Sequence, residues 1–273
     1  MASIINRRRL RKQVKKRVTQ LGKRIPAFQR LTRSALKAKR TRSYLRSCAE
    51  NLIDDRIVIF ECFAGRGYTD SPRALYQQML ADARFEGYTF VWALRRPALR
   101  ELEQRGSFNI RGLTPTETTP KPMGLERAFG EQALEELKHA VLVPYASVEY
   151  YRWHARARYW FANYILPTHM QPRENQVYLQ TWHGTPLKRL GCDIAPNKQN
   201  AMYSVDEIHK RYSSEGARFT HLVSPSRFTT EKLTSAFGLS NENTKVLEAG
   251  SNRNASLSTV TPAQIADTKK RLY

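Results

Sequence analysis

The chain has 273 residues, 41% of them apolar and 26% charged, with a formal net charge of +22. That length suits one large domain or two small ones, and that apolar fraction supplies a core, which excludes a disordered chain. No window approaches the roughly 18 consecutive apolar residues of a membrane span, and no signal-peptide-like apolar stretch follows the start. We expect a cytosolic protein or one held on the cytosolic face of a membrane.

The charge belongs to the beginning of the chain. Residues 1–49 hold 17 Lys or Arg and no Asp or Glu, while the remainder holds 29 basic residues against 24 acidic ones. Leu10, Val14, Val18, Leu21, Ile25 and Phe28 recur at steps of three or four, which predicts one apolar helical face among cations. Pro26 is expected to separate two helices, with Leu31, Leu36 and Leu45 continuing an apolar side. A basic amphipathic helix suits an anionic membrane surface, where each cation contributes on the order of 1 kcal/mol. A solvated or partner-binding helix is the rival reading. Nucleic acid is not expected, since only Phe28 and Tyr44 offer rings for base stacking.

Beyond residue 50, strand-like and helix-like segments alternate. Residues 56–61 predict a first strand ending in a Gly65-Arg66-Gly67 turn, and Pro72 opens a helix to about residue 83 with Ser71 as its cap. Strands are expected at 89–93, 139–143, 159–162, 177–179, 221–223 and 244–247. Helices are expected at 126–138, from about 147, and at 205–216, 227–237 and 262–272; residues 100–125 resist assignment. Such alternation predicts an α/β Rossmann-like fold of parallel strands with crossover helices.

Cys48, Cys62 and Cys192 cannot all pair and have no metal-ligand spacing, which predicts a reducing compartment. His139, His154, His169, His209 and His221 read as structural, and neither metal nor cofactor is expected.

The most informative stretch is residues 180–191, Gln-Thr-Trp-His-Gly-Thr-Pro-Leu-Lys-Arg-Leu-Gly. His183 follows a predicted strand, and Pro186 stands where a helix is expected to begin. Open α/β sheets bind ligands at that edge, and helix N-termini favour phosphate. Local physics leaves two readings open: His183 faces a ligand, or it fills a polar corner.

Four stretches carry a family resemblance: residues 60–76, residues 157–163, residues 178–191 around Trp182-His183-Gly184-Thr185-Pro186, and residues 219–228. In this order they resemble the CDP-glycerol glycerophosphotransferases of teichoic acid synthesis. The resemblance implies a GT-B-like fold whose N-terminal Rossmann-like domain binds the acceptor. Its partners would be CDP-glycerol, a lipid-linked glycerophosphate acceptor and an anionic membrane surface. It implies three regions: a membrane-associating segment at 1–49, an acceptor-side domain at 50–250, and a linker at 251–273 toward a donor domain absent from this chain. The reaction would transfer glycerol phosphate and release CMP at the cytoplasmic face of the membrane. A non-catalytic membrane- and polyanion-binding module keeping the acceptor-side fold is the alternative.

Carried onto this chain, the resemblance makes His183 the general base toward the acceptor hydroxyl. Gly184, Thr185, Pro186 and Leu187 become substrate-binding residues, with the Thr185 and Leu187 N–H groups and a helix dipole holding phosphate. Lys188 and Arg189 are candidates for steering a polyanion or for a solvated face. Glu61 and Asp70 flank the first turn as candidates for orienting hydroxyls or for turn chemistry, and Arg66 for a phosphate contact or a surface role. Arg253 matches a donor-contact position, although Ser251-Asn252-Arg253-Asn254-Ala255 lacks the family's proline and aspartate there.

Overall fold

A computed structural model describes residues 26–113, 129–195, 204–240, 244–258 and 260–272. The predicted helix over 10–25 lies outside these residues. The remainder forms β1 (Asp54–Glu61), β2 (Thr89–Leu94), β3 (Asn109–Ile110), β4 (Ala140–Pro144), β5 (Ala157–Ala162), β6 (Val177–Gln180), β7 (His221–Ser224) and β8 (Lys245–Glu248). The strands make one sheet in the order β3-β4-β2-β1-β5-β6-β7-β8, and every pairing is parallel. The helices are α1 (Pro26–Glu50), α2 (Asp70–Ala81), α3 (Arg96–Arg105), α4 (Glu131–Lys138), α5 (Val148–Arg156), α6 (Val205–Gly216), α7 (Arg227–Phe237) and α8 (Pro262–Leu272).

Both sheet faces are covered, as parallel sheets require. Val58 and Phe60 of β1 pack with Tyr76 of α2, Leu99 of α3 and Leu137 of α4. Ile57 and Ile59 of the same strand pack on the other face, with Tyr150 and Tyr151 of α5 and Tyr44 of α1. From β1 the chain winds outward one way through β2, while β5 and its successors build the other half. The loops therefore diverge between β1 and β5, the switch point where open α/β sheets leave a crevice.

Several expectations change. Thr69, not Ser71, is the N-cap of α2, and Ser71 lies buried inside the first turn. The unassigned stretch holds most of α3, whose ten residues bury only Ala98, Leu99 and Leu102. Leu31, Leu36 and Leu45 do not share a stripe: all three are exposed, and a helix turning about 100° per residue sets Leu36 opposite Leu45. The buried side of α1 is made by Tyr44 and Ser47. Arg173 ties the end of this helix to the body by donating to the carbonyls of Cys48 and Asn51 at 2.9 and 3.1 Å.

The expected helix after Pro186 is absent. Residues 184–190 have no regular structure, Leu190 is extended, and a single 3-10 turn follows at Gly191–Asp193. Gly191 is the reason: its φ of +48° ends any helix within five residues of Pro186. A Cβ there would stand 2.2 Å from the Ala236 carbonyl oxygen and 2.4 Å from the Tyr212 ring. Close packing of this turn between α6 and α7 thus overrides the helical start signal.

Candidate active site

Four loops meet at the carboxyl edge of the sheet, from the ends of β1, β6, β7 and β8. They enclose a cavity of about 90 Å³ whose lining includes Asp70, His183, Gly184, Thr185, Asn252 and Arg253.

The turn after β1 is built from strained backbone. Phe63 and Ala64 hold φ of 47° and 56°, and Asp70 holds 61°. Such conformations cost roughly 1–3 kcal/mol each and persist where surroundings over-determine them. Here Asn163, just beyond β5, supplies the constraint. Its Oδ1 accepts from the Phe63 N–H at 2.9 Å, and its Nδ2 donates to Asp70 Oδ2 at 2.8 Å. One side chain thereby fixes both ends of the turn.

Asp70 gathers the site. Its carboxylate also accepts from the Ser71 N–H at 2.8 Å and from Arg253 Nη1 at 3.3 Å, and only 5% of its side chain is exposed. It opens α2, where the helix dipole stabilises a negative charge. The same Arg253 nitrogen donates to the His183 carbonyl at 2.9 Å. Arg253 thus joins the loops after β1, β6 and β8.

His183 follows Trp182, whose φ of 50° is strained for an aromatic residue. A buried relay holds that strain. The Trp182 N–H donates to Gln180 Oε1 at 2.9 Å, Gln180 Nε2 donates to Tyr178 Oη at 3.1 Å, and Tyr178 donates to Glu215 Oε1 at 2.6 Å. Glu215 is paired with buried Arg218, which also donates to the carbonyls of Leu166, Pro167 and Met170. The His183 ring lies among Trp182, Phe63 and Tyr164, with centroids 4.2, 5.6 and 6.0 Å away. Burial pushes its pKa below the ordinary 6.5; the Asp70 carboxylate pulls it back and Arg253 lowers it further. That lowering favours the uncharged imidazole, the form able to accept a proton.

The other sequence candidates fall in different places. Gly184 and Thr185 line the His183 cavity, whereas Pro186 and Leu187 line a separate outer groove. Leu187 is 92% exposed, and with no helix behind it the expected helix-dipole contribution is lost. Gly184 has open space where a Cβ would lie, so its own fold does not demand glycine. Arg66 donates to the Phe63 carbonyl at 2.7 Å and lies 5.5 Å from the Tyr164 ring centroid. Glu61 is buried away from the cavity, accepting from Tyr150 Oη at 2.6 Å. Sequence reasoning missed Asn163 as a site residue, although it ends one of the quoted blocks. Among the described residues no cluster of three or more His, Cys, Asp or Glu gathers to hold a metal.

A parallel, doubly covered sheet with a polar, strained cavity at its carboxyl edge defines a Rossmann-like α/β domain, and open sheets of this class take their ligands at that edge. The model of the CDP-glycerol:poly(glycerophosphate) glycerophosphotransferase family matches residues 43–273, and the chain belongs to that family. It is 28% identical over 205 residues to a teichoic acid poly(glycerol phosphate) polymerase of Staphylococcus epidermidis, covering 75% of this chain and 23% of that protein. It is 28% identical over 212 residues to a teichoic acid glycerol-phosphate transferase of Staphylococcus aureus, covering 76% of this chain and 43% of that protein. The chain thus spans less than half the length of either relative. Solved structures of the wall teichoic acid polymerase TagF share the fold. A histidine-to-asparagine variant soaked with CDPG has a TM-score of 0.62 and 26% identity, covering 86% of this chain and 48% of that one. The variant alone has a TM-score of 0.63 and 25% identity, covering 93% and 52%.

Proposed function

We propose that the chain provides the acceptor side of a transferase that moves glycerol phosphate from CDP-glycerol to a membrane-anchored teichoic acid acceptor. The carrying observation is the place of His183 on the cavity wall at the sheet's carboxyl edge, beside Asp70 and Arg253. The acceptor hydroxyl gives its proton to this ring as its oxygen bonds to the glycerol-bearing phosphorus. The bond from that phosphorus to the bridging oxygen breaks, and CMP leaves. Arg253, 40% exposed beside Asp70, offers positive charge to a phosphate entering the cavity. The family's reaction and the CDPG soaked into TagF support this choice of donor. The cations of residues 1–49 suit an acceptor anchored in an anionic membrane, with the protein peripheral at its cytoplasmic face.

The test is CMP release from CDP-glycerol by the chain joined to a donor-binding domain of a family member, with and without a lipid-linked glycerophosphate acceptor. Acceptor-dependent release that His183→Ala abolishes is the expected result. Equal turnover by that variant would remove His183 from the role of base.

A further inference from the structure

Beside the His183 cavity lies a larger opening, a groove of about 490 Å³ between the 186–190 loop and α7. Lys188, Arg189 and Lys232 line it, together with the carboxylates Asp193 and Glu231. Both carboxylates are engaged: Asp193 accepts from Ser235 Oγ at 2.5 Å, and Glu231 pairs with Arg227 at 3.2 Å. Lys188 and Arg189 form no ion pair with the described residues, and Lys232 rests 5.7 Å from the Phe228 ring centroid. Three cations thus line the groove against two carboxylates, and Arg227 outside the lining offsets one of these. The apolar surfaces among them are Leu187 and Phe228, both exposed.

One segment walls both openings, Gly184 and Thr185 the cavity and Pro186 and Leu187 the groove. Five peptide steps from His183 to Lys188, at no more than about 3.6 Å each, keep their Cα atoms within about 18 Å. The two openings therefore lie close enough for one extended polymer to reach both.

We propose that this groove binds a phosphodiester of the acceptor chain, upstream of the hydroxyl presented to His183. The inference rests on the acceptor reading above. A polyol phosphate chain alternates single negative charges with short carbon links. Its charges match Lys188, Arg189 and Lys232, and its carbons match Leu187 and Phe228. Arg and Lys hold phosphate by charge-assisted hydrogen bonds, and an unpaired cation is free to make them.

The test uses the 273-residue chain and a soluble glycerol phosphate oligomer, with binding followed by calorimetry. The variant is Lys188→Gln/Arg189→Gln/Lys232→Gln, checked for folding by its thermal melt, with Lys188→Gln alone as the milder form. Exposed charge pairs scale to at most roughly fivefold each, so the triple variant loses between about threefold and a hundredfold in oligomer affinity. Its binding to phosphatidylglycerol vesicles stays unchanged, as does oligomer binding by Lys138→Gln at the far side of the sheet. Undiminished oligomer binding by the triple variant overturns the groove while leaving the acceptor reading intact. Failure of the unaltered chain to bind the oligomer overturns both. Loss confined to vesicles reassigns the groove to lipid head groups and refutes the proposal.

Discussion

Arg253 and Asp70, separated by 183 positions in the chain, form an ion pair at 3.3 Å against the loop that carries His183. The pair brackets the imidazole with opposite charges, so each partner moves the His183 pKa in its own direction. Arg253→Gln removes a charge that lowers it, and the pKa rises toward 6.5; Asp70→Asn removes a charge that raises it, and the pKa falls. Titration of the His183 ring by NMR measures both without requiring turnover. Movement of both variants in one direction would contradict this electrostatic account.

If His183 is the base, the pH profile of kcat/KM follows it. Activity rises with pH through a limb below 6.5 and is flat above, because burial disfavours the charged ring. Arg253→Gln shifts that limb upward. A limb above 7 in the unaltered protein would assign the proton transfer elsewhere.

Asn163 holds the strained turn after β1 through two hydrogen bonds. Asn163→Leu leaves the Phe63 N–H and one Asp70 oxygen unpaired, a loss of about 1–3 kcal/mol for each buried group. Urea unfolding measures it. A variant as stable as the parent would mean that the turn needs no such brace.

Glu215 lies under β6 and anchors the relay that reaches Trp182. Glu215→Ala strands the Arg218 charge in the interior, which costs roughly 3–5 kcal/mol. Thermal and urea denaturation both read this directly. The His183 ring resonance should shift in the same variant, since Trp182 loses its support.

Glu61 and His154 shape stability from opposite ends of the pH scale. Burial raises the Glu61 pKa from 4.5 to about 7, so its stability contribution is full below 4.5 and is lost as pH rises through 7. Burial lowers His154 from 6.5 to about 3, so stability is lost as pH falls from 6.5 toward 3. Glu61→Gln keeps a partner for Tyr150 and removes the first dependence. Relative to the parent it gains about 3 kcal/mol between pH 4.5 and pH 8, the equivalent of the Glu61 displacement. Parallel stability curves for the two proteins would show that Glu61 titrates normally.

Residues 1–30 contain 11 Lys or Arg and no acidic residue. Deleting residues 2–30 spares Tyr44 and Ser47, which a deletion through residue 49 would tear from the core. Co-sedimentation with phosphatidylglycerol vesicles should fall sharply and the remainder should weaken with salt. Unchanged co-sedimentation would refute the membrane role.

Much of the fold was legible from local pattern. Every strand but β3, which lies in the unassigned stretch, carries a short apolar run, and the helices at Val205–Gly216, Arg227–Phe237 and Pro262–Leu272 match their predicted bounds. α3 was missed although Ala98, Leu99 and Leu102 stand at helical spacing, because the charged, Gly- and Pro-rich stretch that it enters masks so short a stripe. The helix after Pro186 was misread because Pro186 is a local signal, whereas the Gly191 contacts with Ala236 and Tyr212 are long-range.

By itself the sequence determined the alternating α/β class, the basic character of residues 1–49, and the family through the block around His183. These rest on periodicity, composition and contiguous motifs, all of which reside in neighbouring residues. Only the tertiary structure decided that Asp70, Asn163, His183 and Arg253 meet, that Glu61 does not join them, and that Leu187 faces an outer groove. Crossover connections bring those groups together from far along the chain. Burial and charge at that meeting point then set the protonation of His183, which no stretch of sequence carries alone.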